Sequence, residues 1–262
     1  KGGKGGGSGG SSNQASASSG LLNNSNNNNV RSGMMDPDEL IPRVDISSQI
    51  SNSLIAQMGS SNWKERKAAL DSVESILVES GNRIQPVLGD LPSAIKLRLS
   101  DVNKSLVRQC LGLVAKLAKA LGRSAERAAR PLLAPALRNL YDQQKMTRDL
   151  VFDLADTWLE ACGADALFSD LAEVVLAPKC MGDCRTEAMA WLDRSFSSGA
   201  LACFEGSGGG IGGGNAAFSS LTASASLTEA LKMTAAGVGD KSSEVREAAG
   251  KLVGSIHQRF CG

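Results

Sequence analysis

The residues that could carry chemistry are few, and their spacing is wrong for it. His257 is the only histidine in the 262-residue chain, so a His-dependent triad or a multi-His metal site is excluded. Cys180-x-x-x-Cys184 has the wrong spacing for a paired zinc knuckle, and no second pair follows. The run Gly206-Ser207-Gly208-Gly209-Gly210-Ile211-Gly212-Gly213-Gly214 has the glycine content of a phosphate cradle. It lacks the Gly-Lys-Ser/Thr ending, and no strand pattern leads into it. Asp153, Asp156 and Glu160 fall on helical faces, where solvation accounts for them. These patterns predict no cofactor, no metal and no enzyme activity.

The elements that would position any site are helices. Ala69, Leu70, Val73, Ile76 and Leu77 recur at three and four residues, one face of a helix; Leu106, Cys110, Leu113, Val114, Leu117 and Leu121 do the same. Short alternating Val/Ile runs are missing. The helical segments also repeat. A polar-to-basic start recurs at Asn62–Arg66, Asn103–Arg108, Lys145–Arg148, Asp183–Arg185 and Lys241–Arg246, with Arg-to-Arg intervals of 42, 40, 37 and 61 residues. A period of about 40–47 residues belongs to HEAT and armadillo arrays. The expected fold is therefore all-α, an α-solenoid of about five to six HEAT-type helix pairs. The pairs fall at 50–58 with 63–80, 91–99 with 104–121, 125–140 with 146–162, 166–176 with 185–197, and 217–236 with 243–259. Each pair is too amphipathic to stand alone and must stack on its neighbours.

Composition sets the limits. Lys+Arg 28 against Asp+Glu 27 leaves a net charge of +1, which argues against nucleic acid as the partner. No apolar run approaches the ~20 residues a membrane span needs. The six cysteines are scattered, several among apolar neighbours, which fits a reducing compartment. Residues 1–37 read as a disordered Gly/Ser/Asn-rich linker, 38–262 as the helical domain, and about 205–215 as a Gly-rich insert within it. The opening Lys1-Gly2-Gly3 is expected of a piece of a longer polypeptide.

Two residue classes stand at the helix starts. Asp142/Arg148 and Asp240/Arg246 lie six apart, and Asp101/Arg108 seven. An acid in the turn and an Arg on the following helix can link adjacent repeats as a ladder along the spine; ligand contact is the other reading. The turns also hold Trp63, Lys64, Asn103, Lys104, Gln144, Lys145, Lys179, Lys241 and Ser242. Stacking places equivalent turns on one edge, so these residues form a line with local basic character. The line is either a solvated edge or a ridge that faces an acidic protein partner. Trp63 follows Ser60-Ser61-Asn62, an N-cap setting, and is either tucked against the first helix or exposed as an anchor. Trp158 and Trp191 lie on apolar stripes and are expected in the core.

The stretches Leu40–Ser47, Asn62–Lys67, Ile84–Pro92 and Leu97–Gln109 together resemble TOG domains of the XMAP/ch-TOG family of microtubule polymerases, and are most similar to the fourth domain of such arrays. The resemblance is strong over about 38–160. It implies a paddle of up to six HEAT repeats whose intra-repeat turns bind αβ-tubulin, an acidic protein, either free or in the microtubule lattice. Matched to the family's turns, Trp63 and Lys64 belong to the first, Asn103 and Lys104 to the second, and Lys145 to the third. Lys179 would belong to the fourth turn, and Lys241, beside Ser242, to the fifth. Implied partners include neighbouring TOG domains. The implied location is the cytoplasmic microtubule cytoskeleton, including spindle poles, centrosomes and kinetochores. The alternative is a structural adaptor that binds other spindle, centrosome or kinetochore proteins without touching tubulin.

Overall fold

The computed structural model describes Gly2 and residues 41–198 and 225–261, with side chains to residue 258. The linker expected at 1–37, apart from Gly2, and the Gly-rich insert at about 205–215 lie outside the described residues. The chain divides into residues 1–41 and 42–262, and the second unit holds every described helix. Its helices come in pairs: α1 (Asn52–Met58) with α2 (Trp63–Glu79), and α3 (Leu91–Arg98) with α4 (Lys104–Leu121). The third pair ends in α7 (Lys145–Cys162), the fourth is α8 (Asp165–Val175) with α9 (Gly182–Ser197), and the fifth is α10 (Ala225–Val238) with α11 (Ser243–Cys261).

The third pair departs from the single helix expected over 125–140. Its first half is broken into a 3₁₀ turn at Gly122–Ser124, α5 (Ala125–Ala128), α6 (Arg130–Leu137) and a second 3₁₀ turn at Arg138–Tyr141. Pro131 supplies no N–H to the preceding turn and its ring crowds the carbonyl of Arg127, so α5 cannot run on and α6 starts afresh with the proline in its first turn. Pro135 then sits inside α6.

The first helices α1, α3, α6, α8 and α10 pack side by side as one layer, while α2, α4, α7, α9 and α11 form the other. The apolar faces meet between the layers, where Trp158, Trp191, Phe168 and Phe196 are fully buried. Trp191 of α9 stacks on Phe152 of α7 at 6.1 Å between ring centres and meets Phe168 of α8 at 6.0 Å. Three successive helices are thereby joined through one indole. Gly237 lets α10 approach α11 closely, since a Cβ there would lie 2.9 Å from that of Ala249. Before α1 the chain runs beside the α2–α3 connection. The Val44 N–H donates to the Arg83 carbonyl (2.9 Å) and the Gln85 N–H to that of Val44 (2.8 Å). Arg43 Nη1 reaches the Ala120 carbonyl at 2.7 Å. No helix among the described residues is long and apolar enough to cross a membrane.

Candidate functional site: the edge of intra-repeat turns

The first, second, third and fifth turns inside a pair are built by the same short polar contacts. A side-chain oxygen accepts the N–H two residues on: Ser60 from Asn62 (3.0 Å), Asp101 from Asn103, Asp142 from Gln144, and Asp240 from Ser242 (each 2.9 Å). The next residue type then caps the second helix. Asn62 Oδ1 accepts from the Lys64 N–H, and Asn103 Oδ1 from the Ser105 N–H, both at 3.0 Å. These caps satisfy amide groups that the helix itself cannot.

The repeated arginines tie these turns together. Arg66, Arg148, Arg185 and Arg246 each stand four residues after their N-cap or turn residue. Each folds back onto carbonyls of its own turn: Ser60 and Ser61, Asp142 and Gln143, Cys180, and Asp240 and Lys241. Three of them also reach the following repeat. Arg66 holds Asp101, Arg148 holds Glu187 (Nε–Oε2 2.6 Å), and Arg185 holds Asp240 (Nε–Oδ2 2.6 Å). Arg108 stands five residues after Asn103, one step of ~100° further round the helix. It meets Gln144 Oε1 instead (2.8 Å), and the carboxylate of Asp142 goes to Lys104 at 2.8 Å. A ladder of such pairs is thus present, with Lys104 as one of its rungs and Glu187, an acid outside the turns, as another.

Three acids of the ladder, Asp101, Asp142 and Asp240, are held ionised. Burial opposes the charge of Asp101, but hydrogen bonds from Arg66 and the Asn103 N–H, with the charges of Arg66 and Arg98, keep its carboxyl below the usual range. Asp142 and Asp240 are lowered against the same opposition, by Lys104 and the Gln144 N–H, and by the Ser242 N–H and Arg185.

Against this frame the predicted site residues separate into two groups. Asn103 is an N-cap, Lys104 is paired with Asp142, and Lys145 is paired with Asp149 one helical turn on, at 2.5 Å. Ser242 Oγ lies 2.5 Å from Glu244 Oε2. These four have structural partners. Lys64, Lys179 and Lys241 are exposed and have no side-chain partner among the described residues. Trp63 is 47% exposed at the first position of α2, under a cap in which Asn62 Nδ2 also donates to Glu65 (3.3 Å). Of the two positions expected for it, exposure is the one observed.

The same edge carries apolar residues that the sequence reading did not single out. Val102 is 97% exposed in the second turn, Met146 65% at the start of α7, and Met181 62% just before α9. With Trp63 they place one large exposed apolar side chain within two residues of the start of each of the first four long helices. Scattered exposed hydrophobics are ordinary; one per turn along an edge is a pattern. Its signal in the sequence was positional, since each lies within two residues of a lysine already assigned to its turn.

No protein-family model matches the chain. It is 29% identical over 234 residues to the protein MOR1 of Oryza sativa subsp. japonica, which covers 89% of this chain and 11% of that protein. Centrosomal protein 224 of Dictyostelium discoideum is 34% identical over 152 residues, covering 57% and 8%. The chain therefore spans about a tenth of the length of these curated relatives. Among solved structures, one determined for microtubule plus-end tracking by XMAP215, CLIP-170 and EB1 superposes with a TM-score of 0.64 at 17% identity, covering 85% of both chains. The TOG domain of C. elegans Zyg9 gives 0.58 at 20% identity, covering 81% of this chain and 74% of that one. The fold is the all-helical HEAT-type solenoid of these TOG structures.

Proposed function

We propose that this chain is a TOG-type module, similar in place to the fourth of an array, that binds αβ-tubulin along its edge of turns and contributes to microtubule growth without chemistry of its own. The observation that carries the reading is Trp63, half exposed on a rigid capped helix start, in line with Val102, Met146 and Met181. Aromatic and apolar anchors on pre-organised backbone are what a protein interface spends its binding energy on. Lys64, Lys179 and Lys241 lie free beside them and complement an acidic partner. The other four predicted residues, Asn103, Lys104, Lys145 and Ser242, shape the turns and contribute contact through them. Relatives named for microtubule plus ends, spindles and centrosomes support a place on the microtubule cytoskeleton, and kinetochores belong to the same proposal. Tandem linkage to further modules would raise the effective concentration for a shared tubulin target.

The test is binding of the purified chain to free αβ-tubulin by size exclusion and to stabilised microtubules by co-sedimentation. The wild type is expected to associate with one or both. Trp63→Ala is expected to lose ~10-fold or more in affinity while its circular dichroism is unchanged. A wild-type chain that binds neither form would sink the proposal.

A further inference from the structure

At the corner between the second and third turns lies a cleft of about 400 Å³, within the ~300–1,000 Å³ range of ligand sites. It opens on the layer of first helices, between the C-terminal ends of α3 and α6, and Lys104 joins it to the edge of turns. Its apolar wall is Leu99, Val107 and Pro135, and Leu97 stands at its mouth 62% exposed. The polar groups of the floor are already occupied. The Asn139 amide donates to the carbonyls of Leu99 (3.3 Å), Pro135 (3.1 Å) and Ala136 (3.3 Å). The Asp101 carboxylate is held by Arg66 and Arg98. What remains for a ligand is an apolar hollow with Lys96, Lys104 and Arg138 around it. Lys96 has no side-chain partner among the described residues, and Arg138 only a distant one, Glu173 at 3.8 Å.

We infer that this cleft receives an acidic segment of the protein docked on the adjacent edge, with one apolar side chain seated in the hollow and flanking carboxylates on Lys96 and Arg138. The assignment of the partner rests on the tubulin-binding reading, and continuity through Lys104 lets one partner engage both surfaces. Charge complementarity gives the occupant its class. With Lys104 held by Asp142, the lining offers two cations, Lys96 and Arg138, and its one carboxylate is buried and paired, so an anionic apolar peptide is favoured over a basic or neutral one.

The experiment has two arms. In the first, a fluorescein-labelled peptide of glutamates around a single phenylalanine is titrated with the whole chain at low salt, by anisotropy. The wild type and Trp63→Ala should bind it alike, whereas the double variant Lys96→Glu/Arg138→Glu should bind ~10-fold more weakly. Leu97→Ser, exposed and neutral to folding, should weaken it as well. In the second, tubulin affinity should fall several-fold in the double variant, whose fold is checked by circular dichroism. Absent peptide binding, or binding indifferent to the double variant, overturns the inference. So does full tubulin affinity in the double variant when Trp63→Ala has lost it, and that result leaves the edge reading intact. A wild-type chain that binds the peptide but no tubulin overturns the edge reading instead and leaves the cleft assigned to acidic peptides.

Discussion

Arg66 in α2 grips Asp101 in the following turn through two hydrogen bonds, Nε to Oδ2 at 2.8 Å and Nη2 to Oδ1 at 3.0 Å. Its remaining nitrogen, Nη1, holds the carbonyls of Ser60 and Ser61. One side chain thus fixes two consecutive turns, and the acid is also bound by Arg98 at 2.6 Å. Removing the acid strands two largely buried guanidinium groups. Asp101→Ala should cost about 3–4 kcal/mol, the usual penalty for breaking a buried pair from one side. Urea unfolding followed by circular dichroism measures it, and a loss under 1 kcal/mol would refute the role.

The same pair predicts an acid limit. The folded-state pKa of Asp101 is lowered, so its contribution is fully present above the unfolded value of about 3.9 and is lost as pH falls through the folded value. Asp142 and Asp240 act in the same direction. Urea midpoints should be flat from pH 7 to about pH 5 as far as these groups are concerned, and fall steeply below about pH 4. Asp101→Asn, lower at neutral pH, should show a shallower fall. Parallel curves for the two proteins would exclude this carboxylate as a source of the acid sensitivity.

The fold was legible because helical periodicity and the repeated Arg report local facts. An Arg four residues after a cap sits over its own turn in four of the five repeats, and the Arg recurring near each helix start gave the period. Two features were not local. Pro131 and Pro135 divide the first half of the third pair, where one helix is expected over 125–140 and two helices followed by a 3₁₀ turn stand. The ion pair of Lys104 with Asp142, 38 residues on, is a contact that local spacing does not give. Periodicity is also silent in turns, where no repeat angle says whether a side chain is inside. The exposure of Val102, Met146 and Met181 was therefore not legible, whereas Trp63 stood out as a large aromatic in an N-cap setting.

Val102 gives the sharpest separation of binding from folding. At 97% exposure it contributes almost nothing to the core, and surface substitutions of this kind usually change stability by less than ~0.5 kcal/mol. On the proposed edge, Val102→Asp should weaken tubulin binding ~10-fold, because a buried, unpaired carboxylate in an interface is costly. Equal affinity for variant and wild type would remove the second turn from the site.

The lysines should not be equivalent. Lys145 already has Asp149, and Lys104 has Asp142, so their charges are partly cancelled before any partner arrives. Lys64→Ala, Lys179→Ala and Lys241→Ala should each weaken binding by ~2–5-fold, and Lys145→Ala by less than ~2-fold. On the proposed edge the apolar row supplies much of the energy, so raising salt from 50 to 300 mM should weaken binding only several-fold. A collapse of affinity over that range, or a dominant effect of Lys145, would favour a purely electrostatic edge.

The thiols make a further prediction that needs no partner. Burial pushes Cys110 and Cys162 up to about 12, so neither offers thiolate near neutral pH. Cys180 and Cys184 are different, with sulfurs 2.8 Å apart where α9 begins. The hydrogen bond from Cys184 lowers Cys180 against its burial, with help from the Arg185 charge, while Cys184 is raised by the same contact and by burial. Both are almost fully covered, so alkylation waits on opening of the fourth turn. Timed iodoacetamide labelling of the folded chain at pH 7.5, read by peptide mass spectrometry, should therefore modify Cys180 before Cys110 or Cys162. Arg185→Ala should accelerate it, since that guanidinium ties the Cys180 carbonyl to Asp240 and holds the turn closed. Slower labelling in Arg185→Ala would mean that the charge on the thiolate matters more than the closure of the turn.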